Sequence, residues 1–557
     1  MKKQYFFIPI YLFFITHLSF TQTIIPGGDV SGTWIVSQSP YLVEGEINIP
    51  LDNTLTIEPG VVVKFHGHYK FIIYGCFLAE GNENDSIRFT TDDPETGWHG
   101  LRFLDTETNS QPVSRITFSV IEYGKSFGTC PDNSGAGIFI SHSVPLIANN
   151  TIRNNSATNG NADWGGGGIY CEYSNPEIRD NLITGNYSGH DGGGIYCGFN
   201  SPLITNNKII NNEAAHRGGG IATFSFASPH IVNNEIADNE ANSIGGGIYQ
   251  SGGNSIIEGN IISNNYAADG GGIACYLSSS KLYNNLLTDN EAYRGAGFWN
   301  QGSSPNILNN TVINNVAYAS GGGMYNITGM AGVPVYSNPL TVNNILYLNT
   351  AEEGSQIFSV VNNIPVLWHN DIEGLTEDGI SGDYNQQDGN IDAEPHFDIE
   401  GEHECALSDD SECIDNGVNG GGGFELPVTD ILGNIRIWDG NNDGSDIADM
   451  GAYEYGSSPV GILEDGKPLN RFVVNVFPNP FVTSIYLSFL SDNHQQIKVS
   501  IYSLKGEELH VLANEKFLHG EQQLYFNIEW FPSGIYLLTF ESNNEVINTT
   551  RMIKIAD

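Results

Sequence analysis

Between residues 131 and 349 the apolar positions of this chain fall into columns. Aligned on short glycine runs, Ile138, Ile169, Ile195, Ile221, Ile248, Ile273, Phe298 and Met324 share one register, at a period of about 26 residues. A second column follows at Ile147, Ile178, Ile204, Ile231, Ile257, Leu282 and Ile307, and a third at Ile152, Ile183, Ile209, Ile236, Ile262, Leu287 and Val312. Polar positions repeat as faithfully. One Asn column runs Asn150, Asn181, Asn207, Asn234, Asn260, Asn285, Asn310, Asn344; another runs Asn155, Asn186, Asn212, Asn239, Asn265, Asn290, Asn315, Asn349. Three short strand-like pieces per unit, with no helical period between them, predict one coil of a parallel β-helix. A single coil cannot bury its own isoleucines; stacking turns them into continuous ladders. Parallel crossovers are right-handed in nearly all cases, so the coil is expected to be right-handed. An Asn side-chain amide can donate to the side-chain carbonyl of the Asn one coil on, so both Asn columns are expected to be structural ladders.

The glycine runs, such as Gly192, Gly193 and Gly194, carry an entropic cost of up to about 1 kcal/mol each relative to Ala. They recur where nearby polar residues vary, which predicts a geometric role: a corner at positive φ, or a close approach between coils. Just before them lies a variable polar strip with Asp163, Trp164, His190, Asp191, His216, Arg217, Asp269, Tyr293 and Arg294. Just after them, projecting opposite to the isoleucines, comes an aromatic-rich column of Phe139, Tyr170, Tyr196, Tyr249, Trp299 and Tyr325. Flat rings along a rigid rod suit stacking on sugar faces, so Tyr170, Tyr196, Tyr249, Trp299 and Tyr325 are the candidate ligand-binding residues. The bland reading of the same column is a half-wet amphipathic surface. The strip supplies candidate catalytic residues in Asp163, His190, Asp191, His216 and Arg217. Arg217 and Arg294 each have an Asp one coil earlier, Asp191 and Asp269, so stacked ion pairs are the competing expectation.

Charge narrows the partners. With 64 Asp plus Glu against 22 Lys plus Arg, the formal net charge is −42. Such a field repels nucleic acid and anionic lipid, which excludes both as expected partners. Lys2 and Lys3 precede a mostly apolar run to Phe20, the pattern of a secretory signal peptide over residues 1–22. No other apolar stretch is long enough to span a bilayer. Seven Cys in 557 residues are no staple framework. Cys405 and Cys413 are close enough in sequence for a disulfide, while Cys171 and Cys197 fall at one point of successive repeats and are expected as buried thiols.

The coils resemble those of parallel β-helix repeat proteins, a group of pectin-active enzymes, polymorphic surface proteins and other secreted proteins. "LTIEPGVVVKF" (residues 55–65), "SIRFTTDD" and "GWHGLRF" resemble the irregular first coils of that group. "NIDAEPHFDIEGEHECALSDDSECIDNGVN" and "DILGNIRIWDGNNDGSDIADMGAYEYG" resemble its closing segment, so the likeness covers residues 33–456. "GHD", residues 189–191, resembles the Gly-His element of polygalacturonases. The paired Asp-Asp and Arg-x-Lys elements of that family are missing from the repeats. Inverting hydrolysis needs two carboxylates about 6.5–9.5 Å apart, which Asp163 and Asp191 could supply across neighbouring coils. A lyase needs Ca²⁺-binding carboxylates and an Arg or Lys base.

The last part changes texture. "VFPNPFVTSIYLSF", "QQIKVSIYSLKGEEL" and "FPSGIYLLTF" read as alternating strands of a small β-sandwich. They resemble the type A C-terminal sorting domain of the type IX secretion system, through Pro478, Asn479, Pro480, Gly506, Gly534, Ile535, Tyr536 and a basic end at Lys554. That resemblance implies Bacteroidetes-type export across the outer membrane, with the domain as an address generally removed afterwards. A separate metal candidate is "DGNNDGSDIAD". Asp439, Asn441, Asp443 and Gly444 match the start of an EF-hand loop, Met450 stands where that loop carries Glu, and Asp446 and Asp449 can supply carboxylates to Ca²⁺.

The expected organisation is a signal peptide at 1–22, a cap and irregular coils at 23–130 and regular coils at 131–394. A closing segment at 395–456, a linker at 457–469 and a sorting domain at 470–557 follow. The expected product is an all-β, right-handed parallel β-helix exported to the medium or cell surface, engaging the type IX machinery and binding a polysaccharide or acting as an adhesin. The alternatives are a polysaccharide lyase or glycoside hydrolase on acidic polysaccharide, and a purely structural or interaction rod.

Overall fold

The computed structural model describes residues 22–105, 113–158, 165–331, 333–398, 401, 403, 405–458, 474–477, 484–491, 495–503, 508–517, 520–528, 530–532, 534–542 and 545–554. The signal peptide, apart from residue 22, and the linker, apart from residues 457 and 458, lie outside them. Residues up to Ser457 and residues from Ser458 form two compact units.

In the first unit three parallel sheets of 14 strands each run along the stack, joined in the central coils by a fourth of eight strands. In one coil the chain passes from Ile195–Gly198 to Leu203–Thr205, Lys208–Ile210 and Glu213–Ala214, one strand per sheet. Glycines 218–220 then return it to Ile221–Phe224. Each apolar column stacks in register: Ile169 on Ile195, Ile195 on Ile221, Ile221 on Ile248. Ile178, Ile204 and Ile231 do the same in one sheet, Ile183, Ile209 and Ile236 in another. All are fully buried in one continuous core. The helical element among the described residues is the 3-10 turn Val36–Gln38. The fourth sheet was not expected from sequence. Glu213–Ala214 offers only one inward residue, Ala214, too little for a hydrophobic signal.

Both Asn ladders are continuous. Asn181 donates from its backbone N and from Nδ2 to Asn207 Oδ1, and Nδ2 also donates to Ile147 O of the preceding coil. Asn186, Asn212 and Asn239 repeat this at the next corner. The first ladder runs on through Asn370 to Asn390. The residue before each ladder Asn is left-handed: Asn206 has φ 55, Asn211 φ 56 and Asn233 φ 54, and Asp180, Asp238 or Gly259 fill the place in other coils. Asn, Asp and Gly are the residues that tolerate this conformation best, which explains the Asn-Asn pairs of the sequence.

The glycine run has a similar division of labour. Gly192 has φ +68, while a Cβ on Gly193 would lie 2.5 Å from both Glu213 O and Gly219 O, and one on Gly194 2.6 Å from Gly220 O. One glycine turns the chain and the next two let the following coil approach.

Residues 405–456 reach back along the flank of the coils instead of only closing the last one. Arg436 is fully buried and donates to Asn284 Oδ1, to Ala452 O and to Glu454 Oε2. Asn309 donates to Asp449 O, and Asn343 exchanges hydrogen bonds with Val418. The docking partners are thus left-handed corner residues, buried here and exposed in earlier coils at Asn206 and Asn233.

The second unit has two antiparallel sheets, one of Val474–Phe477, Ser484–Ser491 and Gly520–Asn527, the other of Gln495–Tyr502, Glu508–Phe517, Gly534–Ser542 and Glu545–Lys554. Ile485, Leu487, Val499, Phe540 and Met552 are among its core residues.

Candidate functional site

The aromatic column expected as an open platform is buried. Tyr170 is 2% exposed, Tyr196 0%, Tyr249 3%, Trp299 3% and Tyr325 5%. Phe139, Tyr170 and Tyr196 stack at 5.0 and 4.8 Å, so each ring covers its neighbour's face. The glycine turn folds backbone over the other side: a Cβ on Gly192 would lie 2.9 Å from Tyr196 Cβ. Arginines close the roof, with Arg102 4.2 Å over Phe139, Arg217 over Phe224 and Tyr249, and Arg294 5.5 Å over Tyr325. Burial pushes the Tyr249 hydroxyl up to about 12 and those of Tyr170 and Tyr196 higher still. These five residues lie in two outer clusters, one with Tyr170 and Tyr196 and one with Tyr249, Trp299 and Tyr325, and are not available to stack on a sugar.

Open aromatics lie three residues further on, at the next corner. Tyr173, Phe199 and Phe226 are 50%, 42% and 82% exposed. His142 stacks on Tyr173 at 5.1 Å, and Tyr173 on Phe199 at 4.8 Å. Phe199 and Phe226, with Tyr173, Ser174, Asn175, Asn200 and Ser201, line a shallow groove of about 450 Å³. Rings are therefore interleaved with amide and hydroxyl groups. All four aromatics have left-handed backbone, φ 50, 48, 56 and 63 in chain order. Gly252, Leu277 and Gly302 serve the same corner in later coils, with φ 63, 50 and 59. A glycine thus suffices for the fold there. The sequence signal that marks this column is an aromatic three residues before a proline: His142 and Pro145, Tyr173 and Pro176, Phe199 and Pro202, Phe226 and Pro229.

The polar strip separates into unlike parts. Asp163 and Trp164 lie outside the described residues, so the Asp163–Asp191 carboxylate pair has no described geometry. Asp269 and Arg294 form a bidentate pair at 2.7 and 2.6 Å, which holds the guanidinium above its usual range. Asp191 does not copy it. Its Oδ2 meets His190 Nδ1 at 2.8 Å, while Arg217, paired with it in backbone register, turns over the aromatic rings. His216 stands beside His190, ring centroids 4.5 Å apart.

In the acidic turn, Asp439 accepts from the backbone N of Asp443 and Gly444, Asn441 Oδ1 from Asp443 N, and Asp443 Oδ1 from Ser445 N. The expected fifth Ca²⁺ ligand is misplaced. Asp449 is fully buried, and its oxygens accept from the backbone N of Asp415 and Tyr455 within the docked segment. Asp439, Asp443 and Asp446 do not bring three carboxylates within 4.8 Å of one another, although Asp439 Oδ1 and Asn441 Oδ1 meet at Asp443 N. Among the described residues, the group of three or more His, Cys, Asp and Glu ligand atoms lying within 4.8 Å of one another is His190, Asp191 and His216.

Contrary to the expectation from their spacing, no disulfide joins Cys405 and Cys413. Cys405 packs with Leu286 and Ala452, whereas Cys413 packs with Ile345 and Met450 and donates to Asp371 Oδ2. Cys171 and Cys197 are buried thiols with sulfurs 3.5 Å apart.

Of the sorting motif, Pro478, Asn479 and Pro480 lie outside the described residues. Gly534, Ile535 and Tyr536 open an edge pairing, opposite Lys554, Ile553 and Met552. Tyr536 donates to Pro532 O.

Among the described residues no helix is long and apolar enough to cross a membrane. Residues 99–287 match the family model for a right handed beta helix region, and residues 475–555 that for a secretion system C-terminal sorting domain. No curated protein matches the chain. With long parallel sheets of 14 and eight strands in the first unit and antiparallel sheets in the second, this is an exported protein: a right-handed parallel β-helix carrying a type IX secretion sorting domain.

Proposed function

We propose that the β-helix is a glycan-binding surface protein that contacts polysaccharide along the corner bearing His142, Tyr173, Phe199 and Phe226. The carrying observation is that exposed rings occupy a left-handed corner that glycine fills in other coils. Bulky residues pay roughly 1–3 kcal/mol of backbone strain there, and such strain concentrates at sites of function. The groove between Phe199 and Phe226 offers an open ring face beside Asn175, Asn200, Ser174 and Ser201. That mixture of apolar face and fixed polar groups is what a pyranose ring needs. The net charge of −42 favours neutral or cation-bridged glycans over free polyanions.

Affinity electrophoresis or a glycan array with the mature protein tests the reading. Replacing Tyr173 and Phe199 with Gly should weaken binding by about 5- to 150-fold, at roughly 0.5–1.5 kcal/mol per ring. The melting temperature should not fall, because glycine fits this corner. Unchanged binding by that variant defeats the proposal. Release of new reducing ends or unsaturated products from wild type would assign a hydrolase or lyase instead.

A further inference from the structure

His190 and Asp191 on one coil and His216 on the next form a cluster that the glycan-binding corner does not use. His216 N donates to His190 O at 2.8 Å, which fixes the two histidines side by side. One ligand atom from each of the three residues lies within 4.8 Å of the others. Asp191 is 1% exposed, and its Oδ1 has no hydrogen-bond partner. A buried carboxylate with an uncommitted oxygen is costly, and native structures leave few. The cation expected to satisfy it is Arg217, as Arg294 satisfies Asp269. Arg217 instead lies 5.6 and 5.4 Å over the rings of Phe224 and Tyr249.

The geometry points to a divalent transition-metal site of the zinc class, held by His190, Asp191 and His216. Two imidazoles and one carboxylate suit zinc and its neighbours, whereas calcium and magnesium take oxygen ligands. His216 is exposed and His190 partly so, which gives the ion a path in from solvent. Three protein ligands leave a coordination position for water or a ligand group. Because the donors come from successive coils, the ion also clips them together.

Zinc titration of the full mature chain, purified without a histidine tag and stripped with chelator, tests the site. In competition with a chromophoric chelator at pH 7.5, wild type should take up one tight equivalent. Co²⁺ in its place should give a visible d–d band. The exposed substitution His216→Gln should lower zinc affinity by at least the ~10–100-fold that loss of an outer partner costs, and abolish the band. Asp191→Asn should do the same, and His396→Gln, at a surface histidine beside Asp410, should not. A wild type that binds zinc no more tightly than His216→Gln overturns the site and leaves His190–Asp191 as a plain hydrogen-bonded pair.

Discussion

At the scale of single residues, the two members of each Asn-Asn pair do different work. Asn234 is buried and spends its amide on Asn260 Oδ1, Ile204 O and Val232 O, while Asn233 is exposed with φ 54. Asn234→Leu should destabilise the β-helix by about 1–3 kcal/mol, because it strands the backbone N of Asn207 and breaks the ladder. Asn233→Ala should cost about 1–2 kcal/mol for backbone reasons alone, and Asn233→Gly almost nothing. Thermal unfolding of the three variants separates the roles; equal losses for Asn233→Gly and Asn234→Leu would contradict them. The aromatic positions divide in the same way. Tyr196→Ala should cost about 3–5 kcal/mol by opening its outer cluster, whereas Phe199→Gly should leave stability within about 0.5 kcal/mol.

At the scale of elements, the closing segment is the part whose stability responds to pH. Burial raises the Asp449 carboxyl to about 7, and burial with the neighbouring Asp449 charge raises Glu454 to about 9, with Arg436 only partly offsetting this. Both acids hold their protons more tightly when folded than unfolded. Their stabilising contribution is therefore complete below their ordinary values near pH 4 and is lost as pH rises towards 9. Amide exchange should show residues 431–456 better protected at pH 5 than at pH 9, after correction for intrinsic rates. Glu454→Gln should flatten that difference. A wild-type segment equally protected at both pH values would argue against proton-linked docking. In the acidic turn, Ca²⁺ binding through Asp439, Asn441 and Asp443 remains a proposal, without Asp449, that a Ca²⁺ titration of Asp443→Asn tests.

At the scale of the whole molecule, a negatively charged solenoid is joined to a separate sorting unit. The solenoid can present a row of similar corners because its central coils repeat one backbone path. The sorting unit has its own core and pairs its last strands, Gly534–Ser542 and Glu545–Lys554, along their length. Deleting residues 470–557 should leave the β-helix folded in the periplasm, since the outer-membrane address is gone. Fractionation with surface protease treatment checks this, and normal display of the truncated chain would contradict the address.

The solenoid was legible in the sequence because its ladders are periodic: each coil repeats the same inward isoleucines and the same corner Asn. The sorting unit was legible as alternating strands with ordered motif residues. Which face of the aromatic columns meets solvent was not legible. Tyr196 and Phe199 are both aromatic and three residues apart, yet one is 0% and the other 42% exposed. The difference arises because the glycine turn lays backbone over Tyr196, while the left-handed bend at Phe199 throws its ring outward. The destination of Asp449 was equally hidden, since only docking of its own segment, Arg436 included, onto Asn284 and Asn309 of distant coils decides that it is buried. Local pattern determines what repeats along a chain. Only the packing of one coil on the next, and of distant segments on the stack, determines which repeated side chains are left free to bind.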